Sequence, residues 1–309
     1  MTGGTNWNGV EASERRTIAN HIFVPRGFTD EFLREMQDLR DGAKEGAEAS
    51  CLVVVGERGV GKSEFLKRYA AEHPPVVVDD GFVRTRTRPV VYVSFPSSPT
   101  LKGAAEAFLK ALCGDESLRG SRSTLTLRIM DQLKLLQVEL VIADEFQHVR
   151  DEGENGPSEV ADWLKDIIKQ TNVPFVLSGM PETVNIIQAN DQLESLTLDP
   201  TRITPYSWDD KPSRIAWKAL LAEIDKALPF DERSELADNE TARQLFNCTR
   251  GYMRQLVTLL RIATARAIRN KAARLIWDDL AAGYHRMPKS ELAKGNPFDR
   301  NGLFSGDRR

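Results

Sequence analysis

Residues 56–63 read Gly-Glu-Arg-Gly-Val-Gly-Lys-Ser and match the phosphate-binding pattern G-x-x-x-x-G-K-[ST]. In this pattern the backbone N–H groups wrap a β-phosphate, the ammonium of Lys62 reaches the β- and γ-phosphates, and the hydroxyl of Ser63 binds Mg²⁺. The apolar residues 52–55 precede the loop and a helical pattern follows it from Glu64, which is the expected strand–loop–helix context. The sequence therefore predicts a nucleotide site formed by Gly56, Glu57, Arg58, Gly59, Val60, Gly61, Lys62, Ser63 and Glu64.

A second pair of functional residues ends another apolar run. Leu140-Val-Ile-Ala is followed by Asp144 and Glu145, which is a Walker B pattern. In such a pair Asp144 joins the Mg²⁺ shell, and Glu145 orients or deprotonates the attacking water. Parallel sheets bind ligands at the carboxyl ends of their strands, so we expect this pair to meet the glycine-rich loop in one crevice. The alternative, two solvated acids at a strand end, explains less because the loop is present as well.

Phosphoryl transfer depends on positioning and charge neutralisation, so we searched for further polar groups. Ser178 is the best candidate on the fourth strand, although a hydroxyl that is only hydrogen-bonded at a strand end fits the sequence equally well. Arg254 follows the helix-starting Gly251 and is predicted to reach the γ-phosphate from a helical domain of the same subunit; the alternative is a simple surface arginine. For an arginine supplied by a neighbouring subunit, Arg202 is the nearest basic residue in a suitable place.

The elements that must position these residues alternate along the chain. Short apolar runs predict strands at 51–55, 90–95, 139–143, 173–178 and 202–204. Helical patterns fall at 64–72, 101–113, 123–137, 158–171 and 182–189. This alternation indicates a parallel sheet covered by helices on both faces.

Strand patterns stop after Pro205. Residues 208–226, 234–247, 251–270 and 276–283 have helical patterns and predict a small all-helical second domain. The final stretch is rich in Gly, Pro, Asn and charge, which predicts a flexible tail. The predicted domains are an N-terminal extension at 1–48, an α/β domain at 49–205, a helical domain at 206–285 and a tail at 286–309.

Bulk composition excludes several classes of protein. The 309 residues carry a net charge of −3, so the chain is not a polycation and any nucleic-acid binding must come from local patches. The three cysteines are far apart in the sequence, which predicts reduced thiols in the cytoplasm. No apolar run approaches the length of a membrane span, and the polar N-terminus lacks the pattern of a signal peptide.

These motifs together resemble a known family, the TniB/TnsC group of AAA+ ATPases, which regulate transposons, including CRISPR-associated ones, and are related to Orc/Cdc6-like initiators. The resemblance rests on the P-loop, on Val-Ile-Ala-Asp-Glu-Phe-Gln-His148, on the 173–180 strand and on Arg254. It covers roughly residues 15–285. It implies an α/β fold, an AAA+ P-loop parallel sheet sandwiched by helices and followed by a helical lid. It also places Ile22 and Val24 in a segment that lines the adenine pocket.

The resemblance further implies ATP and Mg²⁺ bound at subunit interfaces of a homo-oligomer. Such proteins form hexameric or heptameric rings, or helical filaments, on double-stranded DNA, and connect a TniQ-like target selector to a DDE transposase. Hydrolysis of ATP then resets the assembly. Two departures from the family pattern matter: Gly179-Met180 stands where Gly-Thr or Ser-Asn is common, and the segment before Arg202 lacks an Arg-Phe pair. We therefore expect slow hydrolysis, with ATP binding as the main switch.

Three basic segments are candidates for contact with DNA. The first is a turn before a helix, which together with one upstream lysine corresponds in the family to a DNA-facing channel; its residues are Lys102, Arg119, Arg122, Ser123 and Thr124. The second is 241–277, which has eight Lys/Arg and no acid; a solvated face or an inter-subunit surface fits this segment equally well. The third is an extended segment with Arg84, Arg86 and Arg88 on one side, for which a solvated hairpin or a partner-binding edge fits at least as well. No base-reading motif is visible, so sequence-tolerant, salt-dependent backbone binding is expected.

Other functions fit the same motifs less well. An AAA+ replication initiator or helicase loader would usually carry a winged-helix domain after the lid, and the sequence ends soon after the lid. A nucleotide-dependent signalling switch that does not bind DNA would usually carry sensor or repeat domains. The aromatic residues in 294–304 could form a short motif for a transposase or an adaptor, or simply belong to an unselected tail.

Overall fold

Two compact units make up the chain. One comprises Glu31–Thr204, and the other combines Met1–Asp30 with Pro205–Arg309. The structure, a computed structural model, describes residues 7–79, 81, 84–97, 99–114, 119–149, 159–288 and 295–298.

A five-stranded sheet forms the centre of the first unit, with strand order β4-β5-β6-β1-β7. Every neighbouring pair in this sheet is parallel. The three inner strands are buried along their whole length because helices cover both faces, which explains their continuous apolar sequences. The strands are β1 (Cys51–Gly56), β4 (Val90–Ser94), β5 (Leu140–Asp144), β6 (Phe175–Gly179) and β7 (Thr201–Ile203).

The helices of this unit are α2 (Thr29–Lys44), α3 (Lys62–Glu72), α4 (Leu101–Cys113), α5 (Arg122–Leu135), α6 (Glu159–Thr171), α7 (Thr183–Gln188) and α8 (Asp191–Glu194), with a 3₁₀ turn at Phe146–Val149. Helices α3 to α7 lie within two residues of the predicted positions, whereas α8 was not predicted.

Helices α4 and α5 run side by side in the same direction. The Arg88 guanidinium bonds the carbonyls of Ala111 and Leu112 at the end of α4, and the Arg88 N–H bonds the carbonyl of Leu136 at the end of α5. The Cys113 thiol also donates a hydrogen bond to Gln132 Oε1, with 3.3 Å between sulfur and oxygen. Because the C-terminal ends lie together at the start of β4, the two N-terminal ends lie together at the opposite end, toward the carboxyl edge of the sheet.

A separate two-stranded antiparallel hairpin contains Arg84 and Arg86, which is the alternative that the sequence left open for this segment. It pairs β2 (Val76–Asp79) with β3 (Arg84–Thr87). The expectation that three arginines share one side of an extended segment is wrong for Arg88. This residue lies beyond β3, and its guanidinium satisfies carbonyl groups at the end of α4 instead of facing solvent.

Helices build the second unit. They are α1 (Ala12–Asn20), α9 (Lys211–Ala227), α10 (Asn239–Thr249), α11 (Met253–Arg269) and α12 (Trp277–His285), with a 3₁₀ turn at Trp7–Gly9. Trp217 is fully buried at the centre of their core and donates its indole N–H to the Ala242 carbonyl at 2.9 Å. The structure therefore has the all-helical domain that the sequence predicts after Pro205.

The boundaries of the predicted terminal segments differ from those observed. The N-terminal extension is divided at Asp30, because Arg15 is buried against the helical unit and donates twice to the Pro229 carbonyl, at 3.0 and 2.8 Å. The predicted flexible tail is partly packed, since Phe298 is buried edge-to-face against Trp277. The other predicted tail residues, 289–294 and 299–309, lie outside the described residues.

Two further features concern the chain as a whole. All three cysteines are free, with Cys51 and Cys248 buried and Cys113 exposed. Among the described residues, no helix combines the length and the apolar character needed to span a membrane.

Candidate functional site

The glycine-rich loop joins β1 to α3 at the carboxyl edge of the sheet. Gly59 and Gly61 have φ of 89° and 103°, the left-handed region that glycine adopts without steric cost. Gly56 is needed for another reason: a Cβ there would lie 2.2 Å from the carbonyl oxygen of Ile203 on β7. The sequence therefore builds a loop whose backbone can approach a ligand closely.

The ammonium group of Lys62 lies inside this loop. It donates to the carbonyls of Gly56 at 2.6 Å and Glu57 at 3.1 Å, and only 8% of the residue is exposed. Glu57, Arg58 and Glu64 are exposed, whereas Val60 is buried and anchors the loop. The predicted phosphate-binding lysine is thus held in place by the loop itself.

Asp144 collects hydrogen bonds from three elements at the end of β5. Its Oδ2 accepts from the Tyr92 hydroxyl at 2.5 Å, and its Oδ1 accepts from Ser178 Oγ at 2.7 Å and from the Glu145 N–H at 2.9 Å. It is 1% exposed, so these donors replace the water that its carboxylate loses on burial. Asp144 is therefore fixed in orientation by strands on both sides of β5.

Tyr92 connects the two halves of the site. Burial raises the pKa of its hydroxyl, the nearby Asp144 and Glu145 raise it further, and a hydrogen bond with Ser63 acts in the opposite direction. The hydroxyl thus stays protonated and adjoins both Ser63 on α3 and Asp144 on β5. Tyr92 was not predicted as a site residue; its only sequence signal is a hydroxyl-bearing side chain in an apolar strand, two residues before the strand ends.

Glu145 projects from a left-handed backbone conformation, with φ of 59°. This conformation is uncommon for a residue with a side chain and is often found at functional sites. The carboxylate accepts a hydrogen bond of 2.5 Å from Gln147, a second residue that the sequence analysis did not single out. Glu145 is half-buried, next to the buried Asp144.

The donor set fits a nucleotide and its magnesium ion. Gly59 and Gly61 give the loop its left-handed turns, and Lys62 supplies a cation at its centre. The Ser63 hydroxyl and the Asp144 carboxylate, both next to Tyr92, are oxygen ligands of the kind that Mg²⁺ prefers. These two residues would hold the metal, and Lys62 with the loop N–H groups would hold the phosphates.

A family profile described as Bacterial TniB protein matches residues 16–206, more than half of the 309 residues. The chain belongs to the TniB family. The match includes the P-loop, Tyr92, Asp144 and Glu145, and ends before α9 begins. A search of curated protein sequences finds no significant match for this TniB protein.

Solved structures share the fold of this TniB protein at low sequence identity. The ORC2 protein of Aeropyrum pernix has a TM-score of 0.61 at 16% identity, covering 88% of this chain and 71% of that one. The ORC1 protein of the same organism, solved in complex with DNA, has a TM-score of 0.60 at 17% identity, and the match covers 87% of this chain and 68% of that one. Cdc6p of Pyrobaculum aerophilum has a TM-score of 0.59 at 13% identity, and the match covers 86% of this chain and 69% of that one. The predicted AAA+ sheet with a helical lid is confirmed.

The predicted site residues fall into two groups. Lys62, Ser63, Asp144 and Ser178 belong with Glu145 to the α/β unit and meet at the carboxyl edge of its sheet. The Ser178 hydroxyl is fully buried and donates to Asp144, so it supports that carboxylate directly.

The remaining predicted site residues belong to the helical unit or to the edge of the sheet. Arg254 is exposed in the first turn of α11 and, among the described residues, has no ion-pair partner. Ile22 and Val24 are half-buried and pack against the helical core. Arg202 is exposed on the edge strand β7 of the α/β unit.

The candidate DNA residues of the α/β unit share one end of the parallel helices α4 and α5. Lys102 is exposed in the first turn of α4 and pairs with Glu106 at 3.7 Å. Ser121 caps α5 by accepting the Thr124 N–H at 3.3 Å, which leaves Ser123 exposed beside it. Two exposed arginines complete the group, Arg119 and Arg122.

Some of the positive charges in the basic segment 241–277 are paired with acidic side chains of the helical unit. Arg266 pairs with the buried Asp279 at 3.1 Å, and Arg274 lies 3.8 Å from Glu232. Part of its charge therefore serves the helical unit itself.

Proposed function

We propose that this TniB protein is an ATP-dependent regulator of transposition that assembles on double-stranded DNA. In this proposal ATP drives assembly, the assembly connects a TniQ-like target selector to a DDE transposase, and hydrolysis resets it. The observation that carries the proposal is the convergence of Lys62, Ser63, Asp144 and Glu145 at one edge of an AAA+ sheet in a TniB family member.

The chemistry follows from where these groups lie. The loop N–H groups and Lys62 neutralise the phosphates, and Glu145 orients or deprotonates the attacking water. When bound, Mg²⁺ neutralises charge on the phosphate oxygens. Ser178 and Tyr92 act through Asp144, because both donate to its carboxylate. Arg254 is proposed to act on the γ-phosphate from the lid.

Slow turnover is part of the proposal. Ser178, the hydroxyl that the sequence offered on β6, is buried and bonded to Asp144, and the following residues are Gly179 and Met180. Ser178, Gly179 and Met180 therefore do not place a polar side chain against the γ-phosphate. Slow hydrolysis suits a protein whose bound ATP is an assembly signal.

DNA binding is proposed at the shared N-terminal end of α4 and α5. The exposed side chains there carry positive charge and hydroxyl groups, and the helix N-termini add positive potential. Contacts of this type bind phosphates without reading bases, so the affinity should fall steeply with salt. A structural relative, ORC1 of Aeropyrum pernix, was solved in complex with DNA, which supports the same capacity in this fold.

Electron microscopy of the protein with duplex DNA tests the proposal. With a non-hydrolysable ATP analogue we expect closed rings or helical filaments on DNA, and with ADP or with Lys62→Ala we expect dispersed protein. Lys169→Ala, an exposed lysine on α6, is the matched control and should assemble normally. Failure of the wild-type protein to assemble on DNA in any nucleotide state would overturn the proposal.

A replication initiator or helicase loader is the second candidate, because the Orc and Cdc6 proteins share the fold. The two functions differ in how they select DNA. A salt-insensitive footprint confined to one sequence favours an initiator, whereas sequence-tolerant coverage favours the transposition regulator.

A further inference from the structure

The carboxylate of Glu145 is held by a neighbour two residues along the chain. Gln147 Nε2 donates to Glu145 Oε2 at 2.5 Å, and Gln147 Oε1 accepts the backbone N–H of Met180 at 3.0 Å. We infer that Gln147 is a positioning residue for hydrolysis, which ties the Glu145 carboxylate to the chain just beyond β6. The inference rests on the proposed role of Glu145 in ATP hydrolysis.

The orientation of the Gln147 amide is determined by its partners. A backbone N–H can only donate and an ionised carboxylate can only accept. Rotating the amide by half a turn would place its NH₂ against the Met180 N–H and its oxygen against the carboxylate, so both hydrogen bonds would be lost. The side chain therefore links Glu145 to Met180 in one arrangement only.

The backbone that carries Gln147 is itself fixed. It lies in the 3₁₀ turn Phe146–Val149, whose first and last residues are buried in the core of the α/β unit. The Phe146 ring packs edge-to-face with Phe95 at 6.3 Å between centroids. Because the turn is anchored, the amide of Gln147 has little freedom to move away from Glu145.

The end of β6 is shaped to admit this amide. A Cβ on Gly179 would lie 2.6 Å from Gln147 Oε1, 3.2 Å from the Gln147 backbone nitrogen and 2.1 Å from Thr183 Oγ1. Gly179 is the last residue of β6 and precedes Met180, whose N–H Gln147 binds. A side chain at position 179 would therefore force these neighbours to shift, and one of them is the amide of Gln147.

The link occurs together with a left-handed backbone at Glu145. With φ at 59°, the residue turns its carboxylate back toward Gln147, while its own N–H bonds Asp144 Oδ1 at 2.9 Å. The hydrogen bond from Gln147 thus restricts the directions in which the Glu145 carboxylate can point.

Steady-state ATP hydrolysis with duplex DNA tests the inference. Gln147→Ala should lower kcat by at least about 10-fold while ATP affinity, measured separately, changes by less than about 2-fold. Gln147→Glu keeps the size of the side chain but opposes Glu145 with a like charge, so its kcat should fall further. Gln147→Asn keeps both amide groups on a shorter chain and should recover part of the loss. Gln170→Ala, an exposed glutamine on α6, is the matched control.

The double variant Glu145→Gln with Gln147→Ala separates a positioning role from a structural one. If Gln147 acts through Glu145, the double variant should hydrolyse ATP at the same residual rate as Glu145→Gln alone. A Gln147→Ala variant with wild-type kcat, or a double variant in which the two losses multiply, would overturn the inference. Absence of turnover in the wild-type protein would contradict the proposed function as well, whereas a normal wild type with an unaffected Gln147→Ala contradicts this inference alone.

Discussion

Asp144 shows how far residue types and spacing carry a prediction at the scale of single residues. The pattern of four apolar residues followed by Asp-Glu was enough to place it at a strand end beside the P-loop. Its donors Tyr92 and Ser178 come from the strands that flank β5. Ser178 was selected as a polar group on a strand, but Tyr92 was not, because strand pairing across the sheet is not written in any local motif.

Removing the Tyr92 hydroxyl tests its role at the metal site. In Tyr92→Phe, Asp144 loses one of its three donors, so the carboxylate is less well oriented for Mg²⁺. The Mg²⁺ concentration that supports half-maximal hydrolysis should rise by roughly 10-fold, the lower end of the effect of removing a supporting hydrogen bond. A magnesium titration of ATPase activity measures it.

Tyr284→Phe is the matched control for that titration. It removes a hydroxyl that bonds the Gly295 carbonyl at 2.8 Å in the helical unit, so the Mg²⁺ requirement should not change. An unaltered Mg²⁺ requirement in Tyr92→Phe would show that its hydroxyl does not support the metal ligands.

At the scale of elements, the sequence predicted most strands and helices to within a few residues. Strongly apolar runs such as 51–55 and 139–143 are reliable because a strand covered on both faces needs them. The hairpin β2–β3 was only an alternative prediction, because its second strand alternates Arg with Thr and lacks the apolar run of a buried strand. The placement of Arg88 also depended on a neighbouring helix end, which the local sequence cannot show.

A charged cluster links α2 to the start of β5. Arg40 bonds Glu139 through two nitrogens and also meets the Tyr69 hydroxyl at 3.0 Å, while Lys44 lies 2.8 Å from Glu139. Burial alone would raise the pKa of Glu139, but the hydrogen bonds and positive charge of Lys44 and Arg40 outweigh it and hold the pKa below its usual value.

Glu139→Gln should therefore destabilise the protein in a pH-dependent way. Because the folded pKa is lowered, the stabilisation by Glu139 is present above the unfolded value of 4.5 and is lost as pH falls through the folded pKa. At pH 7 we expect a loss of about 2 kcal/mol in the free energy of unfolding, which shrinks at more acid pH. Chemical denaturation at neutral and acid pH measures both values.

The exposed Glu48→Gln is the control for this comparison and should change stability little at either pH. If Glu139→Gln costs the same at pH 7 and well below pH 4.5, the loss comes from packing and not from the charge of Glu139.

At the scale of the whole molecule, an AAA+ sheet unit and a helical unit were both predicted. Which segments of the chain form each unit was not predicted correctly. The first thirty residues group with the helical unit, because α1 packs on α11 and Arg15 binds the Pro229 carbonyl. These contacts join residues more than two hundred positions apart, and no local pattern encodes them. Phe298 is a second example, because it packs against Trp277 although the composition of its segment predicted a flexible tail.

The central claim is that the P-loop and Asp144-Glu145 form one ATP-hydrolysing site in a TniB protein. Phosphate release by purified protein with ATP, Mg²⁺ and duplex DNA, measured beside ATP binding, tests it most directly. The account predicts slow turnover by the wild type and a loss of about 100-fold or more in Glu145→Gln, which should still bind ATP. The exposed Glu182→Gln should behave as wild type. Equal turnover by the wild type and Glu145→Gln, or no ATP binding by either, would contradict the account.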